Sequence, residues 1–283
     1  MSLLKVDDKV KGTRVQAKLL EFVLDTLPRR DIDVIVYNTD TAVDCLSTAP
    51  ILKERRPHLN HCPDIAHVTN SMLKNACETI EEIAEWMKNV DIICKYFNGS
   101  SFLLASFARE TAKVNRGRSL DLPAGECESR FAYQVTRGMR AVMLKPCMRA
   151  IFTSLEYTEV MKGNITNTNN GEKVRVSKRN EKVEKLVEDD EWFNTGLVIC
   201  KSFWPLFQLM RNADSEEATT SKWMSWMYDG DMLLKQYSED RFDSKLSQMA
   251  TRVAQSLNNN TRAHWDFLKD IPYLQCSALL DPK

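Results

Sequence analysis

An aspartate that follows a predicted strand is the side chain in this sequence best placed to hold a metal ion. The β-branched and aromatic run at 34–37 predicts a strand, and Asp40 comes shortly after it. A carboxylate at a strand end is a common metal ligand, because the scaffold fixes it while the end stays open to water. Asp44 lies one helical turn further and would face the same side, either as a second ligand or only as a surface charge. Asp40 equally suits the N-cap of the next helix, where a short side chain accepts a hydrogen bond from a backbone N–H.

Histidine and cysteine are concentrated just beyond this region. Three of the four histidines, His58, His61 and His67, lie within ten residues, together with Cys62. A closed zinc site needs four ligands and usually pairs them in a CxxC or HxxxH spacing, whereas the spacing here is irregular. The sequence leaves two interpretations, a zinc site or a Cys/His pair packed beside a strand end.

A basic segment at 113–149 could contact phosphates. It carries eight Lys and Arg residues against three Asp and Glu residues, a difference of +5. If this region is helical, Arg130 and Arg137 share a face and Arg140 lies one turn on, so they could bind phosphates in register. The same charges could instead form a solvated face, or pair with the acidic segment 181–191 within the fold or in a dimer.

Composition describes a folded chain with long helices. The 283 residues hold 39 basic and 39 acidic side chains, so no whole-chain field steers the protein onto nucleic acid or an anionic membrane. Hydrophobic residues make up 43% and charged residues 28%, which is typical of folded rather than disordered chains. Nine Gly and nine Pro are about half the average usage, which favours helices over turns.

Targeting signals and paired cysteines are not apparent, so we expect an intracellular chain with reduced thiols. The first residues carry charges where a secretory segment would be apolar, and the eight cysteines form no CxxC pair. The most apolar stretch, 192–210, has Lys201 at its middle and predicts a buried helix rather than a membrane span.

The elements form two regions. Helix, strand, helix and a possible second strand at 59–62 predict a small α/β unit over residues 1–72. Residues 73–283 predict an all-helical domain interrupted by a polar loop at 163–177. Residues 64–98 contain neither Gly nor Pro, and their apolar side chains recur in steps of three and four. This stripe suits a coiled-coil seam, a core-facing helix or two helices with a kink.

Four segments in order resemble the transposases of the hAT superfamily and their relatives. They are VIVYNTDTAVDC at 34–45, HCPDIAHVTNSMLKNAC at 61–77, ESRFAYQVTRGMRAV at 128–142 and SALLDPK at 277–283. The resemblance covers nearly the whole chain and rests on the order and spacing of the four segments. It implies that the N-terminal α/β unit is part of an RNase H-like core and that the helical region is the insertion of that fold.

The resemblance assigns roles to individual residues. Asp40 matches the second acidic ligand of the RNase H-like site, and Cys62 and His67 match a Cys…His element, with C-x4-H here where C-x2-H is usual. Asp281 and Pro282 belong to the last motif.

The DNA contacts implied by the resemblance centre on the third segment. Arg130 and Phe131 stand where the family has Arg-Trp, and Phe131 would keep an aromatic face for a base without the indole N–H. With Arg137 and Arg140, they are the DNA-binding candidates.

The expected function follows from catalytic acids of the family that have no counterpart in this sequence. Strand transfer by two metal ions needs several carboxylates, and only Asp40 of the three family ligands is matched here. We therefore expect a truncated or degenerate transposase-derived protein, catalytically inactive, with residual DNA or protein binding and a nuclear location. Mg²⁺ or Mn²⁺ would bind at Asp40 only if another chain completed the site, and no other cofactor is expected.

A helical protein-interaction module without a nucleic-acid role is the alternative. Its partner surface, for another protein or a second copy, would be the stripe at 73–97 or the segment 192–210. We expect neither a membrane partner nor a small-molecule substrate.

Overall fold

The computed structural model describes residues 12–26, 36–39, 43–120, 122, 132–162, 172–213, 215 and 219–258. These residues are mostly helical, as the sequence predicts. The N-terminal elements are α1 (Thr13–Thr26), β1 (Val36–Thr39), α2 (Val43–Arg55) and β2 (Asn60–Pro63). The helices that follow are α3 (Ile65–Thr79), α4 (Glu81–Asn98), α5 (Ser101–Val114), α6 (Ala132–Met143), α7 (Lys145–Phe152), α8 (Leu155–Tyr157), α9 (Glu172–Glu188), α10 (Asp190–Ala213), α11 (Thr220–Ser238) and α12 (Ser244–Asn258), with a π-helical turn at Thr158–Lys162 after α8.

The N-terminal unit is a parallel strand pair joined by a helix. β1 and β2 align from Val36 opposite Asn60 to Thr39 opposite Pro63, and α2 forms the crossover between them. Each strand has four residues. The predicted small α/β opening is therefore present, but one short strand pair does not establish an RNase H-like unit.

A small core of its own supports this unit. Leu24 of α1, Leu52 of α2 and Leu59 before β2 are buried together, with Leu20 and Tyr37 packed against them. α1 thus packs on the crossover helix through Leu20 and Leu24, whereas Phe22 and Val23 of the same helix are exposed.

The uninterrupted segment 64–98 forms two helices rather than one rod. Ile80 has an extended backbone (φ −90°, ψ 101°), ends α3 and precedes α4. The stripe consists of Leu73, Ala76, Ile80, Ile83, Met87, Val90, Cys94 and Phe97, of which all but the partly buried Met87 are buried in the main core. The interpretations as core-facing and as two helices are confirmed, and the coiled-coil interpretation is wrong. Neither Gly nor Pro occurs near this break between the two helices.

Trp86 of α4 lies between two glycines of neighbouring helices. A Cβ built on Gly138 of α6 would lie 2.8 Å from Cζ3 of the indole, and one on Gly196 of α10 would lie 2.7 Å from its Cε2. The indole Nε1–H donates to the carbonyl oxygen of Trp192 at 3.2 Å, and the two indole rings stack 5.5 Å apart. The absence of side chains at both glycines lets α6 and α10 close on this ring.

The longest described helix, α10, passes through the core. Pro205 lies within it without ending it, and residues on its inner face such as Ile199 and Phe203 are buried. The prediction of a buried helix at 192–210 is confirmed for this face. Among the described residues, no helix is both long and apolar enough to cross a membrane.

The predicted polar loop at 163–177 is shorter than expected on its C-terminal side. Residues 172–177 already belong to α9, while 163–171 lie outside the described residues. The segment after Gly171 is rich in Glu, Lys and Arg and contains neither Gly nor Pro, and those charged residues have good helix propensity.

The buried cysteines are predicted to react slowly in the folded protein. Burial, assisted by the nearby charge of Asp64, raises the pKa of the Cys62 thiol to about 11, and the side chain is buried. Two pKa units lower the thiolate fraction about 100-fold at neutral pH, and the thiolate is the reactive form. We expect iodoacetamide to label Cys62 at least about 100-fold more slowly in native protein than in urea, as followed by peptide mass spectrometry. Equal rates in the two states would contradict this packing.

Candidate functional site

Several sequence-predicted site residues lie outside the described residues. These are Asp40, Arg130, Phe131, Asp281 and Pro282. The metal-ligand and N-cap interpretations of Asp40 both stay predictions. Asp44 belongs to α2, but its side chain is not described. Within the described part of the chain, no group of three or more His, Cys, Asp or Glu side chains is arranged to hold a metal ion.

Cys62 and His67 have different surroundings. Cys62 is buried on β2, whereas His67 is exposed in the first turn of α3, where its backbone N–H donates to Asp64 Oδ1 at 3.1 Å. His61 is a residue of β2, directly opposite Tyr37 of β1; the two rings lie 5.1 Å apart, and burial lowers the pKa of His61. Of these residues, His61 therefore contacts a ring across the strand pair, and the neighbouring Asp64 caps α3.

Arg137 is part of the interior. Its side chain is only 1% exposed, and its guanidinium donates to Asp91 Oδ1 at 2.7 Å and to Gln134 Oε1 at 3.0 Å. Arg137, a DNA-binding candidate in the sequence, is therefore not on an exposed basic face, because this side of α6 packs against α4. While the ion pair with Asp91 is in place, the guanidinium is not available to a phosphate.

Asp91 has two cationic partners and is ionised. Burial opposes its charge, but hydrogen bonds from Lys95 and Arg137 outweigh burial and hold the pKa of the carboxyl below its usual value. Lys95 Nζ lies 2.7 Å from the second carboxylate oxygen. The Asp91 carboxylate thus forms ion pairs with a buried guanidinium and a surface ammonium group.

Other basic residues of the segment 113–149 are also paired. Lys113 lies 2.6 Å from Glu110, and Lys145 and Arg149 both pair with Asp190 at the start of α10. Arg149 also donates to the carbonyl oxygens of Val187 and Glu188 at the end of α9, where a cation offsets the negative end of the helix dipole. Pairing with the acidic segment 181–191 within the fold, one of the alternatives open from the sequence, is confirmed. Arg140 is partly buried and interacts within the protein.

An apolar groove runs along the outside of α6 and α10. We call it the α6–α10 groove, and its volume is about 260 Å³. It is lined by Met139, Val142 and Met143 of α6, Leu197, Cys200, Lys201 and Trp204 of α10, and Tyr237 of α11.

The groove exposes large apolar side chains together. Met143 is 70% exposed, Leu197 45% and Trp204 39%. Leu197, Lys201 and Trp204 are spaced by four and three residues, so they share the outer face of α10. The Trp204 ring stacks on Phe207 with 5.8 Å between centroids, which fixes its orientation. The sequence indicated 192–210 as a partner surface but not these residues, although their helical spacing was visible.

Among the described residues, Lys201 is the one cation that lines the α6–α10 groove. It is exposed, and no acidic side chain among the described residues pairs with it. A charge in an apolar groove favours a ligand that brings the opposite charge to that point.

Comparison of the chain with protein-family models, with curated proteins and with solved structures found no match. The resemblance to hAT transposases stays a prediction from the sequence.

Proposed function

We propose that this chain is a helical protein-binding module and that the α6–α10 groove is its docking surface. The observation that carries the proposal is the joint exposure of Met143, Leu197 and Trp204 in one groove. Large contiguous apolar surfaces on a folded protein mark interaction sites, and a well-packed tryptophan is a common source of binding energy.

The occupant that fits this groove is an amphipathic helix of another protein. An apolar stripe on such a helix would cover Met143, Leu197 and Trp204, and a central Asp or Glu would pair with Lys201. A second copy related by a two-fold axis through this groove would place Lys201 near its own equivalent, and this repulsion favours a different protein.

The resemblance to hAT transposases is compatible with this role. A transposase-derived chain with this groove would bind a protein partner, and the family context would place it in the nucleus. DNA binding is the second candidate function. The pairing of Lys145 and Arg149 with Asp190, and of Arg137 with Asp91, favours protein binding over DNA binding.

A designed peptide tests the groove directly. The probe is a fluorescent 18-residue helical peptide with Leu at spacings of three and four and one central Glu, paired with a peptide that has Lys at that position. We expect the Glu peptide to bind more tightly to the wild-type protein. Trp204→Ala should weaken its binding at least about tenfold, since buried aromatic anchors contribute about 1–2 kcal/mol or more. Fluorescence anisotropy measures both.

The matched control removes an exposed aromatic ring elsewhere. Phe22 of α1 is 58% exposed and lies outside the groove, so Phe22→Ala should bind the peptide like the wild type. Lys201→Glu should reverse the preference between the two peptides. Equal binding by Trp204→Ala and Phe22→Ala would overturn the proposal. So would duplex DNA binding at about 50 mM salt without peptide binding, or a dimer that Trp204→Ala dissociates.

A further inference from the structure

A left-handed turn follows α5 at the protein surface. Among the described residues, Arg116 is the only one other than glycine with a positive φ, 50°, and Gly117 follows with a φ of 83°. A left-handed conformation is strained for a residue with a Cβ, and such strain is concentrated at functional positions. Residues 116–119 read Arg-Gly-Arg-Ser and are all exposed, and we call them the 116–119 turn. None of them lines the α6–α10 groove.

The two arginines of this turn are free. Neither Arg116 nor Arg118 has an acidic partner among the described residues, and no acidic residue occurs between Lys113 and Ser119 in the sequence. Lys113 is different, because it lies 2.6 Å from Glu110. The turn thus presents two unpaired guanidinium groups to solvent. An enzyme cleft lined by carboxylates could bind both, since paired Arg–carboxylate hydrogen bonds give strength and orientation.

Ser119 offers an exposed hydroxyl next to these arginines. The side chain makes no hydrogen bond within the described part of the chain. Its neighbours are held on both sides. The carbonyl oxygen of Arg118 accepts from Asn115 Nδ2 at 3.2 Å, and the backbone N–H of Leu120 donates to Thr111 Oγ1 at 3.0 Å. The fold therefore presents this hydroxyl at a fixed place on the surface.

The turn can open without disturbing the core. A Cβ built on Gly117 meets nothing within 4 Å, so the turn faces open space. Two backbone hydrogen bonds close it, from Gly117 to Ala112 at 2.9 Å and from Arg118 to Asn115 at 3.0 Å. Opening exchanges these bonds for bonds to water and releases the left-handed strain at Arg116. An enzyme that binds its substrate as an extended strand can therefore take up this turn.

We propose that Ser119 is phosphorylated by a protein kinase whose substrate cleft carries carboxylates for arginine. Arg116 and Arg118 lie three residues and one residue before Ser119, and charge patterns of this kind set the substrate choice of kinases. Ser119 Oγ forms a bond to the γ-phosphorus of MgATP, the bond from that phosphorus to the β–γ bridging oxygen breaks, and ADP leaves. An aspartate of the kinase takes up the hydroxyl proton.

The turn also suits the phosphorylated state. A phosphoserine adds about −1.5 to −2 charges at neutral pH and three strong acceptor oxygens. Arg116 and Arg118 can donate to these oxygens, because no carboxylate among the described residues competes for them. The modified protein is therefore expected to stay folded.

The catalytic subunit of a cyclic-AMP-dependent kinase, which selects arginine before serine, is the probe. With MgATP and the native full chain, we expect phosphate on Ser119 by peptide mass spectrometry and none at this site in Ser119→Ala. Arg116→Gln should lower the initial rate at least about tenfold, because charge-assisted hydrogen bonds to the kinase are lost. Lys113→Gln is the matched control. Lys113 is exposed and six residues before Ser119, so its loss should leave the rate unchanged.

Ser244 is a control within the same chain. Arg241 lies three residues before it, but Asp243 directly precedes it and Ser244 is the first residue of α12. Asp243 Oδ1 accepts from the backbone N–H of Leu246 at 3.0 Å, which holds the start of this helix. We expect Ser244 to be phosphorylated at least about tenfold more slowly than Ser119, because its flanking charge is acidic and its backbone is helical.

The outcomes separate the proposal from unspecific labelling. Thr111 is buried two residues after Arg109, so it should stay unmodified while the chain is folded. An absence of phosphate on Ser119, an unchanged rate in Arg116→Gln, or equal rates at Ser119 and Ser244 would each overturn the proposal. Phosphate on Thr111 together with Ser119 would also overturn it, since the kinase would then be acting on unfolded chains.

Discussion

Gly196→Val is expected to lower the free energy of unfolding by about 3 kcal/mol, near the upper end of the usual cost of overpacking a core. Any Cβ at this position would lie 2.7 Å from Cε2 and 2.8 Å from Nε1 of Trp86, closer than non-bonded atoms approach. The indole cannot move aside, because Gly138 of α6 meets its other edge and its N–H is bonded to the carbonyl of Trp192. The extra methyl groups of valine enlarge the clash.

Urea unfolding monitored by circular dichroism measures this effect, and two further variants identify its origin. Gly12→Val is the matched control, because nothing lies within 4 Å of a Cβ at Gly12. Trp86→Leu removes the ring and is itself expected to cost several kcal/mol, about 3. In the double variant Trp86→Leu/Gly196→Val, the loss of unfolding free energy should be smaller than the sum of the two single losses by at least about 1 kcal/mol, because the ring that clashes with the substituted side chain is absent. Additive costs would show that Trp86 is not the neighbour that excludes a side chain at Gly196.

The helical core could be predicted from the sequence because its signal is local. The stripe on α3 and α4 recurs at helical spacing, and these positions are the ones that the core covers. Two helices were one of the interpretations open from the sequence, but the position of the break at Ile80 could not be predicted, because no Gly or Pro marks it and the stripe continues through it. The close approach around Trp86 depends on glycines 52 and 110 residues away along the chain, whose meeting no periodicity encodes.

The candidate sites were predicted less well for a related reason. A count of charges between 113 and 149 treats every arginine as solvated, but Arg137 falls on the side of α6 that α4 covers, opposite Asp91. The sequence places Asp91 between two apolar residues, Val90 and Ile92, in a predicted helix, but it does not show which helix brings the counter-charge. The helical spacing of Leu197 and Trp204 indicates that they share one face of α10, so part of the α6–α10 groove could be predicted from the order of residues, although not from composition.

Asp91→Asn is expected to destabilise the protein by about 3–5 kcal/mol at neutral pH, the usual cost of removing one member of a buried ion pair. The substitution keeps the shape of the side chain but leaves the Arg137 guanidinium, 1% exposed, without its counter-charge. Asp190→Asn is the matched control. Asp190 also has two cationic partners, Lys145 and Arg149, but its side chain is 70% exposed, so its loss should change stability far less.

The pH dependence of the destabilisation by Asp91→Asn tests whether the lost carboxylate charge is its cause. Because the pKa of Asp91 is lower in the folded than in the unfolded protein, its stabilising contribution is present above the unfolded value of about 3.9. That contribution is lost as the pH falls through the folded value, where the carboxyl takes up a proton. The gap in unfolding free energy between wild type and Asp91→Asn should therefore be largest near pH 7 and narrow below about pH 4. Urea unfolding of both proteins across this range measures the gap. A gap that stays constant with pH would assign the effect of the substitution to packing or hydrogen-bond geometry, because neither depends on whether the carboxyl is ionised.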